Sequence, residues 1–200
     1  MSNRLAGLSA RLTEHPIEPL FLQRWSPRAF DGSAMPQTDL DTILDAAHWA
    51  PSAFNYQPWR FLYAHRGDRH WDAFQDLLVP FNQSWAKDAS VLLFILSDTL
   101  LDAGQGPKPS HSHSFDAGAA WAQLALQTTA LGYQAHGMTG VDFEKAQRVL
   151  NVPETFRVEA AVAIGRQADA SALPEGLRAR ETPSDRKPLS AVSFAGPLPD

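Results

Sequence analysis

The chain has 200 residues, 44% apolar and 20% charged, which suits one globular domain and excludes a disordered chain. A net charge of −5 supplies no global positive field for nucleic acid or an anionic membrane, and the lack of any cysteine excludes disulfides, thiolate metal sites, iron–sulfur clusters and cysteine nucleophiles. The first fifteen residues lack a signal peptide's hydrophobic stretch and no run of eighteen apolar residues occurs, so a cytoplasmic protein is expected.

In chain order, Leu5, Leu8 and Leu12 predict a short amphipathic helix over Ser2–His15, followed by a second over Pro19–Trp25. Thr38 with Asp39 and Asp41 reads as a helix N-cap, with Leu40, Ile43, Leu44 and Ala47 as its apolar stripe and Pro51 as its stop. Trp59–His65 is strand-like, and Asp68–Val79 is a helix with Trp71, Phe74 and Leu78 on one face. Ser90–Ser97 is a continuous apolar run of strand length, the pattern of a strand buried on both faces. A Gly-, Pro-, Ser- and His-rich loop spans Asp98–Ser114, and Phe115–Leu131 is the longest helix, stopped by Gly132. Tyr133–Met138 is a strand, Asp142–Asn151 a helix capped by Asp142, and Val158–Gly165 a last strand. Beyond Arg166 the chain is polar and Pro-rich. One α+β domain over 1–200 follows, with an extended C-terminal segment over 167–200. The 115–131 helix is too apolar for an open surface, which points to a sheet on one side and a second subunit on the other.

Several chemistries are absent from the sequence: no Walker-type phosphate loop, no dinucleotide GxGxxG, no HExxH and no GxSxG. His111 and His113 could hold a metal, but with no third ligand nearby they read better as solvated loop residues, and no metal site is expected. Asp116 at a helix start is either a base or a dipole-stabilising acid. Arg24-Trp25-Ser26-Pro27-Arg28 offers two cations and a hydroxyl, which suits a phosphate as well as an ordinary helix end. Ala50-Pro51-Ser52-Ala53-Phe54-Asn55-Tyr56-Gln57-Pro58-Trp59 is a turn framed by prolines, with Ser52, Asn55 and Gln57 able to read the polar edge of a heterocycle.

Taken together, these two stretches make the chain resemble the nitroreductase family of FMN-dependent oxidoreductases. The resemblance continues, in order, through Asn82 and Asp88-Ala89-Ser90, Asp116 and Gly118, Leu131-Gly132, Gly137-Met138-Thr139-Gly140, Ile164-Gly165, and Arg186-Lys187-Pro188-Leu189. It implies an α+β fold with a central, mostly antiparallel sheet flanked by helices, in an intertwined homodimer whose interface holds two FMN molecules. Arg24, Ser26 and Arg186 would grip the FMN phosphate and ribityl chain, with Trp25 beside them. Arg28 would face flavin N1 and O2. Pro51, Ser52, Ala53, Asn55 and Gln57 would hold the ribityl chain and the polar ring edge, in part from the partner subunit. Asn82 would sit at the pyrimidine end, and Met138, Thr139 and Gly140 would form the turn whose backbone N–H reaches N5.

No protein side chain is then expected to be catalytic, because the flavin carries the chemistry. The resemblance implies NADH or NADPH as donor and a small electron-poor acceptor (nitro compound, quinone or enone) served in a ping-pong cycle. The alternative is a flavin-binding or storage module, or a member repurposed as a dehalogenase, dehydrogenase or flavin-fragmenting enzyme. Three positions depart from the family pattern: Thr139 where some members carry an acid, Ser184 where many carry a second cation, and Trp85 where some carry lysine. Of the aromatics, Trp49, Trp59, Trp71 and Trp121 are expected in the core, whereas Trp25, Phe54 and Trp85 either join them or line a flavin cleft.

Overall fold

A computed structural model describes residues 11, 13–102, 104 and 106–199. Leu5, Leu8 and Leu12 of the first expected helix lie outside the described residues. Its described end, Thr13–His15, is a bend, in which the Thr13 hydroxyl accepts from the His15 N–H at 3.2 Å, and Pro16 disfavours helix at the residue before it.

The helices and strands, in chain order, are α1 (Pro19–Gln23), α2 (Gln37–His48), β1 (Trp59–His65), α3 (Trp71–Gln75), α4 (Pro80–Ala86), β2 (Val91–Asp98), β3 (Leu100–Leu101), β4 (Lys108–Pro109), α5 (His113–Ala130), β5 (Gln134–Met138), α6 (Phe143–Val149), β6 (Phe156–Gly165) and α7 (Glu175–Arg178). Thr38 is not the N-cap of α2. The helix opens two residues earlier, with Pro36 at the N-cap position and Gln37 as its first residue, and the Thr38 carbonyl already accepts from Thr42 Oγ at 2.8 Å. The helix expected over Asp68–Val79 is only the five residues of α3. Tertiary pairing pulls the chain out of it: the Leu77 carbonyl accepts from the Asp142 N–H at 2.8 Å, and Leu78 bridges Val141. Pro80 then starts the separate helix α4, a favoured first position for proline. The loop expected over Asp98–Ser114 carries the small β3–β4 pair, and its last two residues already belong to α5.

The main sheet runs β1-β2-β6-β5, and every neighbouring pair is antiparallel. The apolar run predicted for β2 is buried on both faces because each face meets its own core. Leu92, Phe94 and Leu96 pack with Phe74, Leu77, Trp85, Leu173 and Leu177 on one side. Val91, Leu93 and Ile95 pack with Leu40, Ile43, Ala120 and Leu124 of α2 and α5 on the other. Leu173 and Leu177 tie the first part of the C-terminal segment to this chain's own core, leaving residues 184–199 exposed. Helix α5 turns Ala117, Ala120 and Leu124 inward but leaves Phe115 81% exposed, so its apolar character is only partly used within one copy.

Candidate functional site

The Arg24–Arg28 stretch leaves α1 in extended backbone and crosses the end of β5. Three contacts fix it. The Trp25 N–H lies 3.5 Å from Gln134 Oε1, His136 Nδ1 is 2.8 Å from the Pro27 carbonyl, and Glu181 Oε1 accepts from the N–H groups of Arg28 and Ala29 at 2.7 and 2.9 Å. His136 is held near pKa 4, first by burial and also by the Arg28 charge, against the hydrogen bonds to Pro27 and Ser26 that oppose the shift. It is therefore neutral at pH 7, and its Nδ1–H donates to Pro27. Neither His136 nor Glu181 carries a local sequence signal, since both act across more than a hundred residues.

With its backbone pinned, the motif sends Arg24 and Ser26 into a cavity of about 650 Å³. Arg24 Nη1 stands 3.5 Å from Ser26 Oγ at that end. Ala117, Gly118, Trp121 and Ala125 of α5 form one wall, and Gly137, Met138 and Thr139 form another. Glycine at 137 lets Trp121 approach: a Cβ there would lie 3.1 Å from Trp121 Cζ2. At Gly140 a Cβ would collide with the Asn82 amide and stand 2.9 Å from Val79 Cγ2. Buried Asn82 holds the same turn by donating from Nδ2 to the Gly140 carbonyl at 3.1 Å, which also receives the Val79 N–H at 3.0 Å. The structure thus brings Arg24, Ser26, Met138 and Thr139 to one cavity, with Asn82 and Gly140 bracing its rim. Arg28 has a buried Nε without a partner, and its pKa is lowered by burial first and by Arg180 second, against Glu181. Trp25 is buried and does not line the cavity. Arg186, on the exposed tail, donates to the carbonyls and hydroxyl of Ser184 and Asp185 within its own turn.

The turn Pro51–Gln57 stands apart, and none of it lines this cavity. Its backbone is strained: Phe54, Asn55 and Gln57 have φ of 54°, 54° and 52°, a conformation that non-glycine residues adopt at a cost of about 1–3 kcal/mol each. Two contacts sustain it. Ser52 Oγ accepts from the Gln57 N–H at 3.0 Å, and Asp116 Oδ2 accepts from the Ala53 N–H at 3.2 Å and from Ser112 Oγ at 3.0 Å. Asp116 is thereby a buried structural anchor of the turn. The Gln57 side chain reaches the Asn55 carbonyl and His48, whereas Pro51, Phe54 and Asn55 are exposed, Phe54 at 84%. Trp85 resolves to core, stacked on Phe30 and lying 4.7 Å from the His136 ring. Trp49, by contrast, is 77% exposed at the end of α2 rather than in the core.

His113 is not in a loop but opens α5, 2.7 Å from Ser97 Oγ and 3.5 Å from Glu159. Among the described residues no group of three His, Asp or Glu is placed to hold a metal, and no helix is long and apolar enough to cross a membrane.

Comparison with known proteins places this architecture. The chain shares 54% identity with the crystal structure of an oxidoreductase containing FMN, covering 100% of this chain and 99% of that one with a TM-score of 0.93. It is 29% identical over 201 residues to an NADH dehydrogenase of Thermus thermophilus, covering 86% of this chain and 91% of that protein. To a CLA biosynthesis enone reductase of Lactiplantibacillus plantarum it is 24% identical over 192 residues, covering 78% of this chain and 88% of the relative. The family model for nitroreductases matches residues 21–79 and 68–166, which hold all four strands of the main sheet and every residue lining the cavity. With its antiparallel sheet, its cavity beside α5 and this match, the chain belongs to the nitroreductase family.

Proposed function

We propose that this protein is an FMN-dependent oxidoreductase that takes electrons from NADH or NADPH and passes them to a small electron-poor acceptor, such as a nitro compound, quinone or enone, in alternating half-reactions. The observation that carries the proposal is that one cavity is lined both by a guanidinium and a hydroxyl, Arg24 and Ser26, and by the glycine-flanked backbone turn Gly137–Thr139. Arg24 and Ser26 suit a terminal monophosphate, and the sequence has no Gly-rich pyrophosphate turn of the kind FAD would need. The residues present fit the flavin: Arg24 and Ser26 put a cation and a hydroxyl, suited to a phosphate, on the same cavity as apolar Ala117, Trp121 and Met138, which suit a flat ring.

FMN, when bound, supplies the hydride acceptor and donor. The protein's own residues then have positioning and electrostatic roles. Arg24, Ser26 and Arg186 would hold the phosphate and ribityl chain. Arg28 would supply positive charge to the pyrimidine end, with its N–H held by Glu181 and the preceding Pro27 carbonyl held by His136. Asn82 fixes the turn Met138–Gly140, whose N–H groups orient the ring. Ala117, Trp121 and Met138 exclude water from the slot.

The turn Pro51–Gln57 does not line the cavity of its own copy, so we infer a homodimer in which each turn completes the partner's site. Exposed Phe54 and Phe115 flank the Ala53–Asp116 contact, as expected of an interface, and the exposed stretch 184–199 wraps the partner.

The test is direct. Purified protein should be yellow and release FMN, not FAD, on denaturation. It should oxidise NADH or NADPH with parallel double-reciprocal lines when a quinone is varied. Colourless protein that takes up no added FMN overturns the proposal, and flavin binding without turnover of any acceptor reduces it to a flavin store.

A further inference from the structure

We propose that Arg11, which lies outside the Arg24–Arg28 motif, is a third guanidinium of the phosphate grip and gives the site its preference for a doubly charged monophosphate. This rests on the FMN proposal above. Arg11 Nη1 donates to the Arg24 carbonyl at 2.8 Å and to the Leu22 carbonyl at 3.4 Å. Those two bonds fix the guanidinium at the end of α1, where Arg24 turns into the cavity. Its Nε is buried and has no partner.

Among the described residues, no carboxylate stands within ion-pair distance of Arg11, Arg24 or Arg186. The cations nevertheless feel one another. Arg11 and Arg24 are both held below the ordinary guanidinium value, by burial first and then by neighbouring cations: Arg186 acts on Arg11, and Arg11 and Arg186 act on Arg24. Asp185 is the one acid that opposes this on Arg11.

Three positive charges against one carboxylate leave about two uncompensated. That matches the charge of a monophosphate ester near neutral pH, about −1.5 to −2. Crowded, partly desolvated like charges are unfavourable unless an anion joins them, and a side chain already fixed by two carbonyls loses little freedom when it does. The pattern has no local sequence signal, because Arg11 belongs to a different segment from Arg24 and Arg186.

Riboflavin carries the same ring and ribityl chain without the phosphate, so the ratio of FMN to riboflavin affinity isolates the grip. Apoprotein is titrated with each flavin by fluorescence quenching for wild type, Arg11→Gln, Arg11→Lys and Arg24→Ala. In Arg11→Gln the FMN dissociation constant should rise about 10- to 100-fold while that of riboflavin stays within about threefold. Arg11→Lys, which keeps the charge, should hold the wild-type ratio within about threefold. Wild type that binds both flavins equally overturns the phosphate grip itself. A ratio that collapses in Arg24→Ala but not in Arg11→Gln overturns only the role of Arg11. A parallel loss of both flavins in Arg11→Gln makes Arg11 a prop for the backbone and also overturns it. Where Arg11→Gln does not fold, Arg11→Met keeps the aliphatic stem and is judged on the same ratio.

Discussion

His136 and Pro27 meet at 2.8 Å, ring nitrogen to carbonyl oxygen, and that contact seats the Arg24–Arg28 stretch on the edge strand of the sheet. Because burial holds the ring near pKa 4, the folded protein favours neutral His136, whereas the unfolded chain protonates it near 6.5. A depressed folded value means stability that is fully present above pH 6.5 and is lost as pH falls from 6.5 toward 4. The loss should reach about 3 kcal/mol. Urea unfolding at pH 7.5 and 4.5 checks it: wild type should lose more stability between the two than His136→Gln. Equal losses would remove His136 as the cause.

Arg24→Ala should weaken flavin retention by about 1.5–3 kcal/mol, the worth of a charge-assisted contact to phosphate. The measurement is flavin occupancy after dilution and gel filtration. Full occupancy in the variant would take Arg24 out of the grip.

Arg28→Gln keeps approximate size and hydrogen-bonding capacity but removes the charge that the proposed site would use to favour the reduced, anionic flavin over the oxidised ring. The variant should bind FMN and show a two-electron midpoint potential lower by tens of millivolts, where about 30 mV corresponds to about 1.4 kcal/mol. Reduction by NAD(P)H should slow in step. An unchanged potential at normal flavin loading rejects the electrostatic role.

A homodimer burying more than about 2,000 Å² should form at micromolar concentration. Light scattering should give twice the 22.0 kDa chain mass. Phe115→Glu, at an 81% exposed position, should shift the protein toward monomer and lower flavin affinity together. A flavin-loaded monomer of wild type would contradict the shared site.

How much of this could be read from the sequence depended on whether the determining forces were local. β1 matches its predicted bounds, and β2 is shifted by one residue, because a run rich in aromatic and aliphatic side chains at strand length has few other solutions. The Arg24–Arg28 and Pro51–Gln57 stretches stood out because they crowd donors, cations and prolines into short windows. The helix expected over Asp68–Val79 ends early because Leu77 and Leu78 are drawn into contacts with Val141 and Asp142, more than sixty residues away, which no local periodicity encodes. His136, Glu181 and Arg11 carry no sequence signal for the same reason. Each is an unremarkable residue in its own segment and gains its role only where the chain returns to the motif.

Glu181 joins the tail to the motif in a way that protease sensitivity can report. Arg178 and Arg180 are exposed basic residues immediately before the carboxylate that caps the Arg28 and Ala29 amides. A tryptic nick after either one detaches that carboxylate from the core anchored by Leu173 and Leu177. Cleavage there should therefore release flavin, and bound flavin should in turn slow cleavage, so the rate of nicking becomes a readout of cofactor occupancy that needs no substrate at all.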